Sequence, residues 1–393
     1  MKTSHISKRM QGIRPFYVMD LLAQAKQLEA QGHDVIHLEV GEPDFPTPPA
    51  INAAGIRAIE SAQTKYTPAT GLPELKQKIA AYYQQRLNTV LKPDNIIITP
   101  GASGALQLAL SVLVNAGQSV LMADPGYPCN RHFVALLDAS AHTIAVGADS
   151  QYQLTAEIIA QNWQENTVAV LIASPSNPTG TLISQNEMQK IIEVVNNNNG
   201  ILLVDEIYQG LVYTRADFTA ASLSRHIFVI NSFSKYFSMT GWRLGWLIVP
   251  DDFIEPVERL AQNIFLAPPT ISQYAALSAF DDDTLNVLDR QRDELNRRRE
   301  FLIKGLNDLG FDINVTPGGA FYIYASIARF SQDSFGFCHQ LLQQSHVAIT
   351  PGIDFGEHQA NLHVRLAYTQ NIEKLQLALD RIAVFLTLYR DTH

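Results

Sequence analysis

The 393-residue chain is expected to fold as an α/β protein, a large domain with a mostly parallel sheet between helices plus a smaller α+β domain. Three observations predict this. Between residues 95 and 230, short apolar runs alternate with helical patterns, the rhythm of a parallel or mixed sheet covered on both faces. After about residue 285 the texture changes to a long charged helix, a hairpin-like stretch and a late strand. The length also exceeds what one ordinary core sustains. With 46% hydrophobic and 17% charged residues, both units have the apolar surface they need.

Val18, Leu21, Leu22, Ala25 and Leu28 recur at helical spacing over Val18–Gln31, and Gly32 stops that helix. GEPDFPTPP at 41–49 is proline punctuation, read as a crossing between domains. Then come a strand at Asn95–Thr99 with a helix from Ser103, and a strand at Ser119–Ala123 with a helix over Cys129–Ala139. The strand Thr167–Ala173 precedes the helix Gln185–Val195, NNNN at 196–199 reads as the loop after it, and strands Ile201–Val204 and Ile227–Ile230 follow. Asn286–Leu309 is a helix containing RQRDELNRRRE, whose arginines read as a solvated face. FDINVTPGGAFYIYASI reads as a hairpin; a helix around Phe335–Ser345, the strand Asn361–Ala367 and a helix from Asn371 complete the unit. The expected division is an N-terminal segment, 1–48, packing with the small domain, a large ligand-binding domain, 49–285, and a small domain, 286–393.

A net charge of −9 without a basic block argues against nucleic acid as the partner. Cys129 and Cys338 are too few and too far apart for a disulfide scaffold or a zinc site and read as reduced thiols. MKTSHISKRMQGIRPF lacks the apolar stretch of a signal peptide, and no run of about 18 apolar residues occurs. A soluble, cytoplasmic protein with no membrane or metal partner is the expectation.

In such sheets ligands sit outside the carboxyl ends of the strands. Thr99 is followed by PGASGAL, a helix start at Ala102 and Ser103 whose free amides and dipole suit a phosphate. Ala173 is followed by SPSNPTG, with Asn177 in a turn, and Val204 by Asp205. Ile230 is followed by NSFSKYFSMTGWRLGW, with Ser232, Ser234, Lys235 and Arg243. Singly, these read equally well as a turn, a loop or a helix cap. Together they ask for a ligand needing a phosphate cradle, a buried carboxylate, a hydroxyl-binding amide and an amine. Pyridoxal phosphate meets that list.

At this point the chain resembles the class I/II aminotransferase family of fold-type I pyridoxal-phosphate enzymes. GEPDFPTP, YTPATGLPELK, TPGASGALQLAL, DPGYP, SPSNPTG, VDEIY, SFSKYFSMTGWRLGW and HVRLAY follow the family's order over nearly the whole chain. The resemblance implies that Lys235 forms a Schiff base with the cofactor and then moves a proton at the substrate α-carbon. It implies that Asp205 pairs with the ring nitrogen, that Asn177 and Tyr208 bond the ring oxygen, and that Tyr127 stacks on the ring. The phosphate would rest on the Ala102 and Ser103 amides, Ser232 and Arg243. Tyr66 would reach the phosphate of a neighbouring subunit, which implies a homodimer with shared active sites. Arg365 would clamp the substrate α-carboxylate, helped by Asn177 and the Gly41 backbone. From the residues alone, Tyr127 reads also as a core aromatic, and Arg365 shares with His363 a strand face that a solvated surface would explain equally well. The role of Ser234 stays open.

The motif set implies transamination between an L-amino acid and a 2-oxo acid, with a β-eliminating C–S lyase on the same scaffold as the alternative. A cofactor-sensing transcription regulator would need a DNA-binding domain, for which no room is expected ahead of residue 41. A serine hydrolase is disfavoured, because Ala105 stands where G-x-S-x-G needs its second glycine. No lysine stands near Ser103, which disfavours an aspartate-dedicated enzyme. Phe16 and Tyr17 lie in the segment that covers the pocket in this family and suggest a neutral, apolar or aromatic substrate, with Phe16 as a binding residue. Arg14 and Arg131 are weighed as partners for a distal carboxylate against surface salt bridges.

Overall fold

The computed structural model of the chain describes residues 6–13, 15 and 17–390. Helix α1 (Tyr17–Ala30) and the short strand β1 (Ile36–His37) precede α2 (Pro49–Glu60) and α3 (Pro73–Leu87). The expected alternation follows as β2 (Ile96–Thr99), α4 (Gly101–Leu113), β3 (Ser119–Asp124), α5 (Pro128–Ala135) and β4 (Ser140–Ala145). It continues through α6 (Ala156–Asn162), β5 (Thr167–Ala173), α7 (Gln185–Asn197), β6 (Ile201–Asp205) and β7 (Phe228–Ser232). Next come β8 (Gly245–Ile248), α8 (Ile254–Ile264), α9 (Thr270–Ala276) and the long α10 (Asp282–Asp308). The chain closes with β9 (Tyr322–Ser326), α11 (Ser334–Ser345), β10 (Val347–Ala348), β11 (Thr350–Pro351), β12 (His363–Ala367) and α12 (Ile372–Arg390).

Seven strands form one sheet in the order β2-β8-β7-β6-β5-β3-β4. Every neighbouring pair is parallel except those of β8, which is antiparallel to both β2 and β7. The sheet is covered on both faces, and its strands divide their side chains accordingly. Ile97, Val120, Leu203, Phe228 and Leu247 face a core closed by α4 and α8. Ile96, Ile98, Val204, Val229 and Trp246 face the opposite core, with Ile79 of α3 and Ile191 of α7. Two strands escape the sequence reading. Four-residue β8 (GWLI) is too short to show a period, and β4 lies at the sheet edge with no buried residue, so it carries no apolar run.

A second, three-stranded antiparallel sheet runs β11-β12-β9, and β1 pairs in parallel with β10. The segment ahead of α2 is thereby hydrogen-bonded to the C-terminal part of the chain. Residues 311–327 do not form the expected two-stranded hairpin. A single bridge joins Asp312 to Ser326, and β9 takes β12 as its partner. The NNNN run is half helical, since α7 extends through Asn197.

The RRR cluster corrects the expectation of a solvated face. Successive helical residues point about 100° apart, so three in a row cannot share one face. Arg298 and Arg299 are only 4% and 7% exposed. Arg298 Nη1 donates to Asp44 Oδ1 at 2.8 Å and Thr369 O at 2.5 Å, and its guanidinium lies 4.8 Å from the Phe45 ring centroid. Arg299 Nη1 donates to Pro317 O at 2.6 Å. Arg297, with 70% of its side chain exposed, pairs with Glu294 on its own helix. Removing the Arg298 side chain strands a carboxylate and a carbonyl, so Arg298→Ala is expected to lower unfolding free energy by roughly 2–3 kcal/mol in urea denaturation. Arg297→Ala should stay within about 0.5 kcal/mol of the parent.

Candidate active site

The carboxyl ends of the central strands are level, with Ala173 paired to Asp205 and Asp205 to Ile230. The residues just beyond them emerge along one edge and border a cavity of about 240 Å³.

Lys235 enters it from a turn held by aromatic packing. Phe233, Phe237, Met239 and Trp246 are buried, with the Phe233 ring 4.9 Å from Trp246 and 5.1 Å from Phe237. Gly210 (φ 86°) lets the chain pass against the Tyr236 ring, where a Cβ would stand 2.6 Å from it. Lys235 Nζ donates to Gly41 O at 2.5 Å. The amine faces the cavity but is enclosed by protein, and that burial pulls its pKa down to about 8. Glu42 and Asp205 oppose the shift, and Arg365 and Arg243 reinforce it.

Asp205 ends β6. Its Oδ1 accepts from Ile207 N at 3.0 Å, too little to offset burial, which raises its pKa to about 6. The neighbouring Glu206 points to the other side of the strand, where Thr219 Oγ1 and Ala220 N hold its carboxylate at 2.8 and 2.6 Å.

Arg365 sits on β12, 3% exposed. Its Nη1 donates to Asn177 Oδ1 at 3.0 Å, and its Nη2 to Glu39 O at 2.5 Å and Thr350 Oγ1 at 3.2 Å. The guanidinium carbon lies 4.4 Å from the Tyr322 ring centroid and 4.9 Å from that of Phe355, favourable placements for a cation. Because Asn177 accepts through Oδ1, its Nδ2 is left to donate into the cavity. His363 is 3% exposed too, so the face it shares with Arg365 is buried rather than solvated.

The opposite end of the cavity begins at α4, whose first amides have no partner within the helix. Gly101 has φ 70°, and a Cβ on it would stand 2.7 Å from Arg243 Nη2. A Cβ on Gly245 would stand 2.8 Å from Gly101 C. Both glycines let the helix start, the strand and the guanidinium close on one point. Arg243 itself has left-handed backbone, φ 54°, and donates to Thr240 O at 3.0 Å.

Lys235, Asp205, Tyr208, Ala102, Ser103, Tyr127, Asn177, Arg243, Gly41 and Arg365, all expected at a site, border this one cavity. Ser232 does not. Its Oγ donates to Leu244 O at 3.1 Å and shares a hydroxyl-to-hydroxyl contact of 3.0 Å with Ser234. Ser232 ends β7 on the face of Ile230, which belongs to the core, and Ser234 borders the cavity in its place. Tyr66 is 83% exposed and outside the cavity. Phe16 and Arg14 lie outside the described residues. Tyr17 packs its ring 5.5 Å from Phe335 instead of lining the cavity, and Arg131 Nη2 is taken by Asp354 O at 2.9 Å.

Sequence reasoning missed three groups. Tyr322 shares a hydrogen bond with Tyr208, hydroxyl to hydroxyl, at 2.8 Å, and Gly41 passes so close to its hydroxyl that no Cβ would fit. Val18, Met19 and Leu22 of α1 and Leu106 of α4 form an apolar wall. Asp354 caps α1 from the loop after β11, accepting from Tyr17 N at 2.8 Å and Val18 N at 2.9 Å. The helical period over Val18–Leu28 was readable, but the cavity beside its first turn was not.

Residues 33–382 match the model of the aminotransferase class I and II family. The chain is 39% identical over 384 residues to a (5-formylfuran-3-yl)methyl phosphate transaminase of Methanocaldococcus jannaschii, covering 97% of this chain and 99% of that one. It is 38% identical over 377 residues to a valine–pyruvate aminotransferase of Mycobacterium tuberculosis, covering 95% and 97%. A solved aminotransferase structure from Mycobacterium tuberculosis superposes with a TM-score of 0.94 at 38% identity, covering 98% and 100%.

The Asp205 carboxyl has a direct thermodynamic consequence. Its pKa is raised from the ordinary 3.8 to about 6. The folded state therefore gains from the neutral acid below the ordinary value and loses that gain as pH rises through about 6. Asp205→Asn keeps the acceptor for Ile207 N and removes the charge. In the cofactor-free protein it is expected to raise unfolding free energy at pH 8 by on the order of 2–3 kcal/mol and to change it little at pH 4, read by urea denaturation at both.

Proposed function

This chain belongs to the aminotransferase class I and II family, and we propose that its cavity moves the amino group of a neutral, apolar or aromatic L-amino acid to a 2-oxo acid. It is a pyridoxal-phosphate-dependent aminotransferase. The alternative of a C–S lyase is not favoured, since the relatives are transaminases.

The residues present fit the cofactor. A buried acid with one hydrogen bond suits a protonated ring nitrogen, and the α4 amides with Arg243 suit a phosphate. An amine with pKa about 8 suits condensation with an aldehyde. When bound, the cofactor supplies an electron sink that acidifies the substrate α-carbon. The rest falls to side chains. Asp205, opposite Lys235, would keep the ring nitrogen protonated. Asn177 Nδ2 and the Tyr208 hydroxyl would donate to the ring oxygen, and Tyr127 would flank the ring. Ser234 borders the cavity with Ala102, Ser103 and Arg243, and would stand with them toward the phosphate. Arg365 would bind the α-carboxylate, aided by Asn177 and the Gly41 backbone, and so turn the α-hydrogen toward Lys235. Lys235 Nζ would then move the proton from the substrate α-carbon to the cofactor's C4′.

The substrate class rests on the cavity's charge and wall. Among the described residues bordering it, the cations are Lys235, Arg243 and Arg365. Amine, phosphate and α-carboxylate occupy all three, leaving none for a distal carboxylate. Val18, Met19, Leu22 and Leu106 offer an apolar surface in its place, and a valine–pyruvate relative accords with this.

A homodimer is part of the proposal. Ile56, Ile59, Tyr66 and Leu266 are 56–83% exposed on α2 and the loops by α9, more apolar surface than water tolerates well, and Tyr66 there would serve a neighbour's phosphate. The pairing of β1 with β10 supports a division into segment 1–48, large domain 49–285 and small domain 286–393. Among the described residues no helix is long and apolar enough to cross a membrane and no cluster suits a metal ion; a cytoplasmic location is proposed.

The convergence of Lys235, Asp205, Arg243 and Arg365 on one cavity carries this reading. The holoenzyme, mixed in turn with L-valine, L-phenylalanine, L-alanine and L-aspartate while its cofactor absorbance is followed, tests it. The apolar and aromatic acids should react at least roughly tenfold faster than L-aspartate; the reverse order would overturn the substrate class. Lys235→Ala should abolish turnover. Arg365→Lys should raise KM for the amino acid roughly tenfold or more.

A further inference from the structure

Glu39, Val40 and Gly41 form a strip whose two outer carbonyls carry Arg365 and Lys235. What holds the strip lies on its far side. Glu39 is 0% exposed. Its Oε1 meets His37 Nδ1 at 2.7 Å, and its Oε2 has no hydrogen-bond partner among the described residues. His37 Nε2 reaches Glu29 Oε1 of α1 at 3.2 Å, and Lys26 Nζ holds that carboxylate at 2.9 Å. Glu39 and Glu29 are the charged groups that act on the imidazole. β10 sets Val347 and Ala348 beside β1, and Gln370 Nε2 donates to His37 O at 3.3 Å. His37 ends β1 and Glu39 follows two residues on, at a bend that brings the two side chains together. A carboxylate this buried is costly unless a cation meets it, and Arg365 bonds the Glu39 carbonyl rather than its side chain.

We propose that His37 is a positioning residue: as an imidazolium bridging Glu29 and Glu39, it neutralises the buried carboxylate and keeps the Glu39 carbonyl where it aims Arg365 at the substrate α-carboxylate. The inference rests on the reading of Arg365 as the carboxylate clamp. The hydrogen bond to Glu39 is the main cause of a raised His37 pKa, with burial opposing it and Glu29 adding to it. The bridge is thus complete below the ordinary histidine value of about 6.5 and is lost as pH rises through the raised one. The α-carboxylate keeps its charge throughout the reaction, so the loss weakens binding of substrate and transition state alike and appears in KM rather than kcat.

The test is steady-state kinetics of the holoenzyme with L-valine and pyruvate from neutral to alkaline pH, beside an NMR titration of its histidine rings. His37→Gln should raise KM for L-valine roughly three- to tenfold with kcat within about twofold. The alkaline rise in wild-type KM should vanish in His37→Gln and in Glu39→Gln. Added to Glu39→Gln, His37→Gln should change KM by less than about twofold, since the charge it served is gone. An equal penalty in both backgrounds means packing alone and overturns the proposal. So does a His37 ring that titrates at or below the ordinary histidine value, a readout that needs no variant to fold. Arg365→Lys separates the two readings. If it leaves KM unchanged, the clamp itself fails; if it raises KM while His37→Gln does not, only the role of His37 fails. Should L-valine not react, L-aspartate replaces it in the same comparison.

Discussion

Gly41 O and Glu39 O, two residues apart on one strip of backbone, receive Lys235 Nζ and Arg365 Nη2, each at 2.5 Å. The amine comes from the turn after a strand of the seven-stranded sheet, the guanidinium from the three-stranded sheet, and the strip from the N-terminal segment. One stretch of backbone thus sets the distance between the Lys235 amine and the Arg365 guanidinium. Its freedom is limited from every side. Tyr322 leaves no space for a side chain at Gly41, Thr350 donates to Glu39 O at 3.1 Å, and Arg298 ties down Asp44 and Phe45, just beyond it in the chain.

Burial then sets the chemistry with one cause and two signs. Taking an acid from water disfavours its charged form and raises its pKa; taking an amine from water lowers its pKa. Asp205 and Lys235 move toward each other in this way, to about 6 and about 8. Among the described residues neither has a counter-ion within hydrogen-bonding distance, so each is poised for a ligand that brings a ring N–H to one and a carbonyl carbon to the other. The surrounding structure holds them in place, with aromatic packing around the lysine turn and left-handed backbone at Arg243.

Much of the site is legible in the order of the residues along the chain. Lys235, Asp205 and Asn177 follow directly from the rule that ligands gather at strand carboxyl ends, because each lies within five residues of an apolar run. Arg365 needed the family's motif order, since its strand alternates like a solvated one. Tyr322 and Asp354 were unreadable, because they act on residues 114 and 337 positions away, and no local pattern encodes such a contact. Ser232, which is not among the residues bordering the cavity, raises the opposite case. It is local, but which of two serines two residues apart faces the ligand depends on where the strand ends and its alternation stops.

The amino-acid sequence by itself determined the alternation of strands and helices, the family and the cofactor, because these are written in short runs whose periods and neighbours are local. Tertiary structure alone decided that Arg298 and Arg299 are buried while Arg297 is not, and that Ser234 rather than Ser232 borders the cavity. It also brought an apolar helix over the cavity and put a partly buried histidine against the buried Glu39 behind Arg365. Those outcomes depend on which faces meet when distant segments pack, and burial, unlike periodicity, is a property of the whole chain.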